Sequence, residues 1–368
     1  MKRIKKLPRP LVAFFFTGFG ILLLLPFFIL FPAFADWFTL YPASLFRLLL
    51  GGVSSLVPFS LFEWSILLGI LYLVFLLVFT PVTLLLRKKN RKTLRLAPFL
   101  LTVPVVLLTV LDLFVLTFAS SYYRPSPLGE LAPAPETVEA EDVFFALEQL
   151  VDTVNETAPQ LVKVKTGASA AIPLDEVNGQ VKAACDAFGR RNAFYQSRGY
   201  KAKTFVSSPL MTYTHISGIF GFFTGEANVN TNYPHFIVTP SLAHESCHAR
   251  GIAPENECNF LSAVILMESG DSYLRYCGAA FVLDDFISVC RKLDRERTNA
   301  ILQSLDPVFS ADMHAYSEFF APYRDSTAAK VADAANSTYL KSMGQKEGTV
   351  SYSRIIRLTA AYFREKTT

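Results

Sequence analysis

Hydrophobic positions along this chain fall into two regimes. Up to Ser120 they run nearly unbroken in three stretches: "LVAFFFTGFGILLLLPFFILFPAF" (residues 11–34), residues 61–86, and "APFLLTVPVVLLTVLDLFVLTFAS" (residues 97–120). At about 1.5 Å per residue each is long enough to cross roughly 30 Å of hydrocarbon. Lipid offers backbone groups no partner, so helices are the expected form. Beyond Ser120 the pattern is that of a globular domain. Val143, Phe144, Leu147, Leu150, Val151 and Val154 recur at helical spacing, and a second helix is predicted over 173–195. Short runs "TFVSS", "ANVNT" and "HFIVT" read as strands, and the chain after Pro240 reads as helix almost to its end. The prediction is an α+β protein: three transmembrane helices within 1–120, a proline-rich linker over 121–140, and a mostly helical domain with a small β-sheet over 141–368.

Charge adds a direction. "RKKNRKTLR", residues 87–95, holds six basic residues in nine and joins the second and third helices. "MKRIKKLPR" precedes the first, whereas the link between helices one and two has only Arg47. The positive-inside rule therefore predicts a multi-pass cell-membrane protein with a cytoplasmic N-terminus and the domain after Ser120 outside the cytoplasm. A cleaved signal peptide ending near "AFA" (33–35) is the rival reading of the first helix, and its apolar run is long for one. The net charge of +4 comes from these flanking clusters, so the lipid bilayer is an expected partner and nucleic acid is not. Asp112 and Glu63 lie within or beside apolar helices, where a structural contact is favoured over an ion pathway. The five cysteines form no C-x-x-C pair and read as small buried residues, with a single bridge left open.

The chemistry concentrates in "SLAHESCHARGIAPENECNF", residues 241–260. His244, Glu245 and His248 form H-E-x-x-H. On a helix, positions i and i+4 share one face, so both imidazoles reach one ion with the glutamate beside them as general base. Gly251 suits a left-handed helix end and Pro254 the start of a new helix carrying Glu255, Glu257 and Asn259. That is the layout of a His₂Glu zinc site with its fourth position left for water. Glu255 shares a face with Asn259 and is the favoured third ligand. Glu257 is the alternative, and Asn259 is expected to bond the outer nitrogen of a histidine. His215, His235 and His314 are expected to be ordinary polar residues. Tyr213, His215, His314 or Tyr316 remain candidates for stabilising an oxyanion.

These residues resemble the zincin metallopeptidases of the gluzincin kind, whose membrane-bound branch follows H-E-x-x-H with E-x-x-x-D; here Asn259 stands in place of the aspartate. More closely, "GGVSSLVPFSLFEW", "SGIFGFFTGEANVNTNYP", "AHESCHARGIAPENECNFLSA", "ESGDSYLRYCG" and "NSTYLKSMGQKEGTVSY" resemble a bacterial membrane family known as domain of unknown function 3810. That likeness spans nearly the whole chain and implies three membrane helices followed by a zincin-like domain, but no substrate. By the zincin resemblance, "GEANVNTNYP" would supply the edge strand that pairs with an extended peptide, through Ala227, Asn228, Val229 and Asn230.

The leading expectation is a membrane-anchored, Zn²⁺-dependent metallopeptidase cutting a peptide or protein substrate near the membrane. The apolar run "ISGIFGFF" (216–223) would dip into the lipid interface or serve as core. The alternative is a non-catalytic membrane sensor or assembly factor that keeps the fold. A small transporter, resting on Asp112 and Glu63, is a weaker third.

Overall fold

A computed structural model describes residues 9–88, 96–343 and 354–366. The basic loop falls mostly outside this range. The chain divides into two compact units. One comprises residues up to Arg124 together with Gly221–Gly225; the other comprises Pro125–Phe220 and Glu226 onward.

The first unit is apolar and helical. Three helices are long and apolar enough to cross a membrane: Arg9–Leu30, Leu61–Leu86 and Pro98–Tyr123. Large apolar side chains such as Phe16, Leu68 and Leu77 stand exposed on their faces, a surface suited to lipid rather than water. The first span stops earlier than its hydropathy suggests. Pro32 has no N–H to continue a helix and instead opens a new one, Pro32–Leu40, followed by Pro42–Ser54. Arg47, on that last helix, is buried rather than facing a headgroup layer, and donates to the carbonyls of Thr117 (2.8 Å) and Thr39 (3.0 Å). Thr117 lies in a π turn, Val115–Ala119, near the end of the third span. Asp112 is buried against Gly18, where a Cβ would fall 2.7 Å from its Oδ2.

The second unit is mostly helical around one hydrophobic core. Ser272–Leu293 packs against both Ala140–Thr157 and Glu255–Met267. Two features differ from expectation. Residues 121–140 are not an extended tether. From Pro125 they fold onto this unit, with Leu128, Ala132 and Val138 in its core, and Arg364 and Arg357 of the last helix bond Pro133 O and Glu136. Secondly, "HFIVT" is helical. It opens the helix His235–Ala249, which is buried on nearly every side, so β-branched residues there reflect an interior position rather than a strand.

The sheet has three short strands: β1 (Lys203–Thr204), β2 (Gly218–Gly221) and β3 (Glu226–Val229). Their order is β1-β3-β2, with β1 parallel to β3 and Thr204 opposite Val229.

Candidate metal centre

The helix His235–Ala249 ends in a turn that shapes the site. Gly251, at φ 94°, reverses the chain. Its N–H reaches His248 O (3.0 Å) and the N–H of Ile252 reaches Cys247 O (3.1 Å), a paired closure that requires a left-handed residue between them. The reversal turns the Ile252 carbonyl back onto the helix, where it lies 2.9 Å from His248 Nδ1. A proton on Nδ1 makes that bond, and Nε2 is then the free lone pair. Pro254 starts the next helix, Glu255–Met267, so Glu255 is delivered at its first position.

The result is a tight cluster. The two Nε2 atoms are 3.1 Å apart, and the Glu255 carboxylate lies 3.2 Å from His244 Nε2 and 3.6 Å from His248 Nε2. A tetrahedral ion with bonds of about 2.0–2.1 Å spaces its ligand atoms about 3.3 Å apart, so the three separations fit a zinc-sized ion. Among the described residues this is the one group of three ligating side chains brought so close. The donor set, two imidazoles and one carboxylate, is also the chemistry that zinc accepts.

Electrostatics match. Burial opposes charge on His248, but the adjacent Glu255 carboxylate outweighs it and raises the group to about 9. Burial likewise disfavours charge on Glu255, yet the two imidazoles hold it well below the usual carboxylate range. Glu245 behaves differently. Burial raises its pKa, the imidazoles only partly offset this, and its Oε2 has no hydrogen-bond partner. An orphaned buried carboxylate oxygen is costly, by about 1–3 kcal/mol, and is expected where a ligand or water completes it.

Of the two acids weighed for the third position, Glu255 joins the histidines. Glu257 is buried on another face and pairs with Arg354 of the last helix at 2.9 Å. Asn259 does not bond a histidine; that place is taken by the Ile252 carbonyl and by Cys258, whose Sγ is 3.3 Å from His248 Nδ1 and 3.4 Å from Ile252 O. The expectation for Ala227, Asn228, Val229 and Asn230 is also corrected. They lie along and just after β3, the central strand, whose two edges are already occupied. Asn228 donates to Ile219 O and Asn230 to Ile216 O, so both amides hold β2 in place. The edge strands are β1 and β2, and Gly218 of β2 lies against Glu245. His215 contacts the Tyr323 carbonyl, His314 stands exposed beside Glu318, Tyr213 packs on Tyr323, and Tyr316 on Phe320. All five cysteines are free and buried.

Sequence reading missed Arg250. It is fully buried, bonds Asp186 at 2.6 Å and Ser246 O at 3.4 Å, and so ties the end of the motif helix to the helix Leu174–Arg191. Its position two residues after His248 gives no hint of burial; only the tertiary partner does.

A family model described as "Protein of unknown function (DUF3810)" matches residues 39–360. No curated protein and no solved structure matches the chain.

Proposed function

The chain belongs to the DUF3810 family, and we propose from the geometry of its His244–Glu245–His248–Glu255 cluster that it is a membrane-anchored zinc metallopeptidase of the zincin kind. The observation that carries the reading is the combination of three converging donors with a second acid, Glu245, that is buried beside them with its Oε2 unsatisfied. A purely structural metal site has no use for that orphaned carboxylate.

His244, His248 and Glu255 would hold the ion. Bound there, zinc supplies Lewis acidity toward a carbonyl and makes water a nucleophile near neutral pH. The chain's own residues do the rest. The Ile252 carbonyl fixes the tautomer of His248. Glu245 accepts the proton of the attacking water on its carboxylate and returns it to the leaving amine, a role that a raised pKa suits. The open edge of β2 offers backbone groups to an extended peptide. The three apolar helices anchor the protein in the bilayer, and the basic residues flanking them favour a domain outside the cytoplasm.

Metal analysis of the full chain purified in detergent, beside His244→Ala, tests the reading: about one zinc per chain is expected in the parent and a large loss in the variant. Equal, negligible zinc in both would reject it. Glu245→Gln separates catalysis from a sensor role, because it should keep the metal and lose peptide cleavage.

A further inference from the structure

The chain between the first and second apolar spans is not a loop leaving the membrane. Contacts inside the apolar unit trace its path. Asp36 lies level with Arg124, bonded at 2.9 Å, and the Thr39 hydroxyl donates to Ser120 Oγ at 2.8 Å. The Arg47 guanidinium then donates to Thr117 O at 2.8 Å. As this segment runs forward, its partners run backward along the third span. The chain therefore turns back into the apolar layer. Thr117 stands six residues before the end of that span at Tyr123, a depth of about 9 Å at the helical rise.

The helix Pro42–Ser54 that lies there has its polarity inverted. Ala43, Arg47, Gly51 and Ser54 are buried on its inward face. Arg47 is its one charged residue, and the guanidinium is met by the carbonyls of Thr117 and Thr39. Ser54 Oγ donates to Gly51 O at 3.1 Å. The outward face carries Leu45, Leu49 and Val53, four residues apart and so in one stripe, each more than half exposed. A helix facing water shows the reverse arrangement. Exposed aromatic residues flank the stripe in sequence: Trp37 and Tyr41 before it, Phe59 and Trp64 after it. Such rings collect where hydrocarbon meets headgroups.

We propose that Pro42–Ser54 lies sunk in one leaflet, at the end of the bilayer where the first and third spans exit, with Leu45, Leu49 and Val53 against lipid acyl chains. Two features select lipid over a second copy of this chain. Helices that pair within a bilayer meet through small residues, and Ala43, Gly51 and Ser54 are already packed on the inward face. The exposed apolar surface of the first span also runs on toward the stripe along the chain, through Leu30, Phe31 and Trp37. The two carbonyls that receive Arg47 permit this depth, because an unpaired guanidinium there is costly. The link between the first two spans is thus a membrane-embedded element that does not cross. Nothing at the metal centre bears on this placement.

Trp37 and Trp64 are the chain's two tryptophans, so a single fluorescent reporter can be placed on the stripe. The full chain carrying Trp37→Phe, Trp64→Phe and Leu49→Trp is reconstituted in phosphatidylcholine vesicles brominated at a shallow or a deep acyl position. Unbrominated vesicles with iodide on both sides of the membrane give the aqueous comparison. Emission should fall about twofold or more with the shallow bromolipid, less with the deep one, and little with iodide. Quenching by iodide and not by bromolipid puts the stripe in water and overturns the proposal. Quenching by neither means that protein, a second copy included, covers the stripe, and overturns it as well. Quenching strongest with the deep bromolipid also overturns it, since the helix would then reach the bilayer centre. Leu45→Trp and Val53→Trp should repeat the pattern of Leu49→Trp, and each decides in its place where that variant does not fold.

Discussion

Gly218 of β2 lies directly against the carboxylate of Glu245: a Cβ at position 218 would fall 2.5 Å from Glu245 Cγ and 2.6 Å from Oε1. No side chain fits between this strand and the acid. Gly218→Ala should therefore displace either the strand or the carboxylate, at the cost of about 1–3 kcal/mol typical of overpacking. The ion-holding side chains lie elsewhere on the two helices, so zinc content should be preserved. Thermal unfolding, metal analysis and cleavage of a quenched peptide library would check this, with cleavage expected to fall most. Unchanged stability and cleavage would mean that the contact is not a constraint.

Glu255 and Glu257 should separate cleanly on metal. Glu255→Ala removes a carboxylate from the cluster and should lose zinc. Glu257→Ala breaks the bond to Arg354, a residue half open to solvent, and should keep zinc while losing about 1.5–3 kcal/mol, the range for a hydrogen bond to a charged group. Equilibrium zinc affinities beside chemical unfolding of both variants decide it. Zinc loss in Glu257→Ala would reverse the assignment.

How much of this could be read in the chain depends on the range of the interaction. The three apolar helices and the H-E-x-x-H helix are local patterns, and Gly251 and Pro254 mark the turn between the two site helices because a left-handed cap and a helix start have local chemistry. The third ligand was half legible. Helical geometry put Glu255 ahead of Glu257, but only the Arg354 partner, almost a hundred residues on, removes the alternative. Asn259 reads as the histidine partner because it shares a helix face with Glu255, whereas the carbonyl of Ile252 and the thiol of Cys258 reach His248 because the chain reverses at Gly251. Residues 225–234 read as the substrate edge by resemblance alone; strand order is a tertiary property, and it puts β3 in the centre of the sheet. The proline-rich run 121–140 reads as a linker by composition, yet Leu128, Ala132 and Val138 are spaced to enter a core that forms only with the last helix.

Arg250 should behave as a buried anchor. Its side chain is fully enclosed and its partner Asp186 is mostly buried. Arg250→Met removes one of two cationic partners of Asp186, which Lys182 also holds at 2.6 Å, and should cost about 1.5–3 kcal/mol, the range for a hydrogen bond to a charged group. Adding Asp186→Asn should recover part of that loss, because the remaining charge has lost its buried partner. Arg250→Lys should not rescue, since a single ammonium cannot serve Asp186 and the Ser246 carbonyl with the same fork. Unfolding midpoints of these three variants and of Asp186→Asn alone test the pattern; an additive cycle would show that the two residues act independently.

Orientation in the membrane is the last expectation. Asp36, after the first span, pairs with Arg124, after the third, at 2.9 Å, and Thr39 bonds Ser120 at 2.8 Å. The exits of the first and third helices therefore share one end of the apolar unit, and the chain's connection after the second helix leaves from the other. That second connection carries six basic residues in nine, whereas Arg47, the one basic residue of the link between helices one and two, is consumed as an internal donor to two carbonyls. At the other end the basic Arg124 is paired with Asp36, so the excess of positive charge lies on the side of the second connection, and the positive-inside rule predicts that side to be cytoplasmic. In a variant lacking the five native cysteines, Lys165→Cys, an exposed position of the second unit, should react with a membrane-impermeant maleimide on intact cells. Arg91→Cys should react only after the cells are opened. Labelling in the opposite order would invert the topology and place the domain, with its candidate metal centre, in the cytoplasm.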